Sequence, residues 1–131
     1  MHILRARLAG AHESGFTLIE LLMVLVILAV LLAIAFPSYV GFKDRAERRA
    51  AASNLRSAVP AVETYFSEHG NYDGMDLAAL QAINTSVGND GTNGVFIVSA
   101  AGDDYCVRSV KGDSTYYKDG PGDPITVAAC S

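Results

Sequence analysis

Between Phe16 and Gly41 the chain has no lysine, arginine or histidine, and its one charge there is the carboxylate of Glu20. Tryptophan is absent altogether, and histidine occurs three times, at His2, His12 and His69. The only cysteines are Cys106 and Cys130, and the four prolines are Pro37, Pro60, Pro121 and Pro124. With so few imidazoles and thiols, neither a Cys/His metal cluster nor a nucleophile with a spaced base can be assembled. No catalytic residue, metal ligand set or cofactor is expected. The turn aspartates Asp113, Asp119 and Asp123 match the spacing of no fixed calcium loop.

What is present divides the 131 residues into an apolar front and a small polar remainder. Leu21 to Phe36 is an uninterrupted apolar run, and Phe16, Leu18 and Ile19 lengthen it. As a helix, Phe16 to Phe36 extends for roughly 31 Å, enough to cross a hydrocarbon core. Arg5 and Arg7 ahead of it resemble the charged start of a secretion signal, yet Pro37 spoils the small-x-small site that a signal needs after its apolar part. A retained spanning helix is therefore expected. In such a helix a carboxylate costs on the order of 2.5 to 3.5 kcal/mol on insertion scales, which marks Glu20 as a functional residue in need of a partner. Because the run holds no cation, that partner is to be created by processing or supplied by another molecule.

Charge is unequally divided beyond the run. Lys43, Arg45, Arg48, Arg49 and Arg56 outnumber Asp44 and Glu47, whereas from Ser57 onward ten acidic residues face only Arg108, Lys111 and Lys118. That acidic half argues against broad phosphate neutralisation, so nucleic acid is a poorly supported partner. Tyr116, Tyr117 and Lys118 beside Arg108 and Lys111 are its best remaining candidates. An even cysteine pair, 24 positions apart, forms a disulfide most simply in an exported domain, and the membrane segment favours export. Such a bond stabilises by roughly 3 kcal/mol in the chain-entropy description.

The pattern predicts one helix from Phe16 to about His69, with Pro37 and Gly41 marking a kink or melted turn and Pro60 a second bend. Ala52, Leu55, Val59, Val62 and Phe66 make a single apolar stripe, opposite a face with Arg45, Arg48, Arg49, Arg56 and Glu63. Gly70 and Asn71 are expected to stop the helix, and a short helix is expected at Met75 to Ile83. Strands are expected at Val95–Ser99, Tyr105–Val110, Thr115–Lys118 and Ile125–Ala129, forming an antiparallel meander whose face covers the stripe. The disulfide would then join the last strand to the second. The fold class is α+β: a long N-terminal helix, first spanning and then amphipathic, packed on a small antiparallel sheet.

A short basic leader, the block Gly15-Phe16-Thr17-Leu18-Ile19-Glu20-Leu21-Leu22 and an apolar helix interrupted by Pro37 together resemble the type IV pilins and the pseudopilins of type II secretion. The resemblance implies a cleaved leader at 1–15, a membrane and filament-core segment at 16–42, and a pilin head at 43–131. The head takes in the amphipathic helix (43–69) and the sheet (about 94–130). It implies that a prepilin peptidase cuts after Gly15 and that Phe16 is N-methylated. The freed amine, with a reference pKa of about 8, then supplies the missing cation. Glu20 and Phe16 become assembly residues, and Pro37 to Gly41 a stretch that loses helix on assembly.

The implied function is that of a type IV pilus subunit, held in the bacterial inner membrane with its head outside the cytoplasm and then polymerised into an extracellular filament. Its implied partners are other copies of the chain, the assembly platform and the motor. Alternative roles are a secretion pseudopilin and a minor pilin acting as adhesin or DNA receptor. Orientation follows from the resemblance, since Arg5 and Arg7 are outnumbered by the basic residues after Phe42.

Overall fold

A computed structural model describes residues 15–131. The proposed leader up to residue 14, with Arg5, Arg7, His12 and Glu13, lies outside the described residues. The elements are α1 (Leu18–His69), α2 (Leu77–Ile83), β1 (Gly94–Ala101), β2 (Asp104–Lys111) and β3 (Ser114–Asp119). The chain divides into two compact units between Ser38 and Tyr39, and α1 belongs to both.

In the first unit the apolar side chains of α1 are exposed and find no core among the described residues. Leu18 is 82% exposed, Ile34 70% and Phe36 71%, a surface that water does not tolerate and lipid or other helices do. Every residue from Leu18 to His69 is helical, Pro37, Gly41 and Pro60 included. Of the expected kink or melted turn, the melted turn is not formed in the isolated chain. Proline removes one backbone donor, and the strong helix formers around it keep the remaining ladder closed.

The second unit, Tyr39–Ser131, has a core. Leu55, Ala58, Ala61, Val62 and Tyr65 of α1 meet Val95 of β1, Tyr105 and Val107 of β2 and Leu80 of α2. Burying a side chain such as Leu55, which has no accessible surface, contributes about 1.5–3 kcal/mol. The buried stripe is centred differently from the expected one. Val59 and Phe66 are only half-buried, while Ala51, Ala58 and Ala61 are buried, because alanines without bulk let the covering residues approach the helix closely. Gly70, with φ of 75°, ends α1 alone, and Asn71 instead turns its carboxamide to accept from the N–H of Asp73. The second helix starts two residues later than expected, since the Asp76 side chain caps it by accepting from the Ala79 N–H at 2.8 Å.

The sheet is the antiparallel meander β1-β2-β3. Both hairpins turn on a two-residue Gly-Asp pair. Gly102 and Gly112 have positive φ and Asp103 and Asp113 do not, which is the type II′ pattern that suits strand twist. The expected fourth strand is not formed. Ile125–Ala129 contributes a single bridge, Thr126 to Tyr117, with bonds of 2.7 and 3.0 Å. The reason lies in the approach: Pro124 donates no N–H, and the tie at Cys130 diverts the chain before a ladder can extend. Cys106 and Cys130 are joined, with Cα atoms 6.1 Å apart. Strand alternation puts Cys106 on the side of β2 opposite Tyr105 and Val107, so the bond fastens the segment after β3 to the outer face of the sheet rather than joining two strands.

Candidate assembly site

Four sequence-singled residues or their neighbours converge at the start of α1, where Gly15, Phe16, Thr17 and Glu20 line one surface recess. Thr17 occupies the N-cap position and Glu20 stands three residues on. The Thr17 hydroxyl accepts from the Glu20 N–H at 3.2 Å. In return the Glu20 carboxylate accepts from the Thr17 N–H at 3.1 Å and from its hydroxyl at 3.0 Å, both on Oε2. This reciprocal arrangement is a capping box, which satisfies backbone donors that a helix start otherwise leaves open.

The box amends the sequence reading. Glu20 has a partner within its own chain, but the partner is a polar one and carries no charge. Its Oε1 has no hydrogen-bond partner among the described residues. A cation brought to that oxygen therefore meets a carboxylate already held in one rotamer by Thr17. The signal for Thr17 was legible in the sequence as Thr-x-x-Glu ahead of an apolar run.

The other named residues are not part of this recess. Pro37 and Gly41 lie further along α1, where the Arg45 Nε donates to the Gly41 carbonyl at 3.1 Å and its guanidinium lies beside the space that a Cβ at Gly41 would fill. Cys106 and Cys130 are in the second unit. Among the described residues, no group of three His, Cys, Asp or Glu side chains could hold a metal ion.

One cluster escaped the sequence reading. The Glu63 carboxylate, which belongs to the polar face by spacing, accepts from the Tyr72 hydroxyl at 3.4 Å and the Tyr105 hydroxyl at 3.3 Å. The rings of the two tyrosines stand edge to face with centroids 4.8 Å apart. Burial first, and then the Glu63 carboxylate, push the Tyr72 hydroxyl up to about 12 and the Tyr105 hydroxyl further still. The Lys118 ammonium lies 5.6 Å from the centre of the Tyr105 ring and donates to the Gly120 carbonyl. No local pattern announces contacts that join positions 9 and 42 residues apart.

Comparison with known proteins bears on these residues directly. Residues 10–36 match a family model described as the prokaryotic N-terminal methylation motif. Over 97 residues the chain is 36% identical to the type IV wide pilus major component PilA4 of Thermus thermophilus, covering 73% of this chain and 72% of that protein. It is 39% identical over 61 residues to the type IV major pilin protein PilA of Myxococcus xanthus. Over 64 residues it is 36% identical to the type II secretion system core protein G of Pectobacterium carotovorum. These last two matches take in 47% and 49% of this chain but span only 28% and 41% of the relatives' own lengths.

Proposed function

Since the chain belongs to the family of type IV pilins and type II secretion pseudopilins, we propose that it is a structural subunit of a type IV pilus. Residues 1–15 are the leader, removed when a prepilin peptidase cuts between Gly15 and Phe16, and Phe16 is then N-methylated. Residues 16–42 hold the precursor in the inner membrane and later pack into the filament core. Residues 43–131 form the head on the filament surface. Like other members of its family, the chain is not an enzyme.

The observation that carries the pilus reading is the extent of the Thermus match. It takes in 73% of the chain and so reaches well beyond the spanning segment that pilins and pseudopilins have in common. Assembly exchanges lipid for neighbouring helices along the exposed apolar face of α1, so it runs on close helix packing rather than on exclusion of water. Register comes from the charge pair between Glu20 and the new amine of Phe16 in a neighbouring copy. In a dry helix bundle a slipped register leaves both charges unpaired, and removing one partner of a buried pair costs about 3–5 kcal/mol. Cleavage therefore creates the cation on which correct stacking depends. The stretch from Pro37 to Gly41, helical in the isolated chain, is the segment proposed to loosen in the filament, where one backbone donor is already missing.

The second reading is a pseudopilin of a secretion machine, favoured by the match to core protein G. Electron microscopy of filaments sheared from the cells, with mass spectrometry of their subunit, separates the two. The pilus reading requires abundant surface filaments whose principal component begins at N-methylated Phe16. Absence of the chain from such filaments, together with loss of protein export on its deletion, would establish the secretion reading instead.

A further inference from the structure

Three arginines of α1 point to a contact that the apolar core of a filament does not explain. Arg45, Arg49 and Arg56 follow one another at spacings of four and seven, so they make a row along one stripe of the helix, and all three are exposed. The only ion pair among the described residues is Lys43 with Glu47 at 3.5 Å, so none of the three meets a carboxylate among them. Arg48 is different, since it lines a recess beside Asp113 and Tyr116.

At the far end of the same unit the charge reverses. The Asp73 carboxylate accepts from the Gly102 N–H at 2.8 Å, and the Tyr72 N–H donates to the Gly102 carbonyl at 2.7 Å. These bonds stitch the loop after α1 to the β1–β2 turn and hold Asp73, Asp103 and Asp104 in one exposed group around Tyr72 and Tyr105. Lys118, whose ammonium faces the Tyr105 ring, is itself buried and engaged with the Gly120 carbonyl. Glu63, which binds both tyrosines, fixes the distance: from Arg49 to Glu63 α1 rises by roughly 21 Å.

Resting on the filament reading above, we propose that the Arg45, Arg49 and Arg56 row of one copy docks on the Asp73, Asp103 and Asp104 group of a second copy displaced along the helix axis. Such a contact is heterologous: it uses two different patches, leaves an acidic group free on one copy and an arginine row free on the other, and so propagates in one direction. Opposite charges steer the encounter and like charges reject a parallel pair without axial displacement, while the N-terminal spanning segment keeps every copy pointing the same way. A lipid surface fits the row less well. Arg49 and Arg56 lie roughly 10 and 21 Å beyond Phe42 along the helix, whereas the headgroup layer is only about 5–8 Å deep on each side. Nucleic acid fits poorly as well, since the same unit carries the acidic group.

The test uses the full chain in producing cells, with double reversals Arg49→Glu plus Arg56→Glu, double reversals Asp103→Lys plus Asp104→Lys, and the four together. Retention of the disulfide and of protease resistance shows that each head is folded. Each double variant is expected to lower shear-released filaments about tenfold, and the fourfold variant to recover most of that loss. Filaments at the parental level in either double variant, or a fourfold variant no better than the doubles, would overturn the contact. So would loss of binding to anionic vesicles by the arginine variant with no recovery of filaments in the fourfold one, which would assign the row to lipid. Glu20→Ala in parallel keeps the two proposals apart: if the parent chain forms no filaments, or Glu20→Ala forms them normally, the filament account fails whatever the reversals do.

Discussion

Glu20 is bonded to Thr17 in its own chain and is proposed to pair with the amine of a neighbouring copy, and substitutions can cut the two relations separately. Thr17→Val keeps the shape of the side chain and removes the hydroxyl, and with it the bonds of 3.0 and 3.2 Å. The Thr17 N–H can still reach the carboxylate, now at 3.1 Å. Loss of a cap of this kind costs about 1 kcal/mol, or about fivefold in an equilibrium. Glu20→Gln does the opposite, because a glutamine carbonyl can serve in a capping box while carrying no charge. If the pair with the Phe16 amine sets register, this variant leaves a buried cation unpaired, at about 3–5 kcal/mol, or on the order of a hundred- to several-thousandfold. The measurement is the ratio of shear-released to membrane-retained subunit, with mass spectrometry confirming that each variant has been cleaved. Thr17→Val should lose filaments several-fold and Glu20→Gln nearly all of them. Equal losses in the two variants, or filaments from Glu20→Gln within a few-fold of the parent, would refute the charge argument and leave Glu20 as a cap.

Three further outcomes are expected of the head. Leu55→Ala removes a side chain without accessible surface from the centre of the core, and should lower stability by about 2–5 kcal/mol in thermal unfolding of the detergent-solubilised chain. Replacing Cys106 and Cys130 together by serine opens a loop of 24 residues' separation and should cost about 3.5 kcal/mol in the same measurement. Because burial and the Glu63 carboxylate raise Tyr72 from 10.0 to about 12, the folded chain holds that proton more tightly than the unfolded one. The resulting stability is fully present below pH 10 and is lost as pH rises towards about 12. Glu63→Gln should make that decline shallower, and denaturant unfolding across the window checks it.

What was legible in the sequence was whatever is written locally. Periodicity marks α1 as far as His69, the alternating runs mark the three strands of the meander, and Gly15-Phe16 with Glu20 marks the family. The misses have a common physical cause. Ile125–Ala129 has strand composition, but whether it joins the ladder is decided by Pro124 and by a covalent tie to a strand 24 positions away. The stripe on α1 was drawn through its large residues, whereas Ala51, Ala58 and Ala61 are buried because they are small. Glu63 looks solvent-bound by its place on the helix and is bound by two tyrosines brought to it by tertiary structure. At the candidate site the charge was found and its neighbour was overlooked, although Thr17 is only three residues from Glu20.

The sheet has two outer edges, and each is occupied near one point. Along β1, the Val95 N–H donates to the Gly88 carbonyl and the Asn89 carboxamide donates to the Val95 carbonyl. Along β3, Thr126 exchanges two bonds with Tyr117, on a segment that the disulfide then holds down. Subunits crowded on a membrane or a fibre sit at high local concentration, where an open strand edge invites uncontrolled pairing between neighbours. The lone bridge at Thr126 is therefore better understood as a guard than as a failed fourth strand. In the proposed filament it would let many identical heads stand side by side without their sheets fusing.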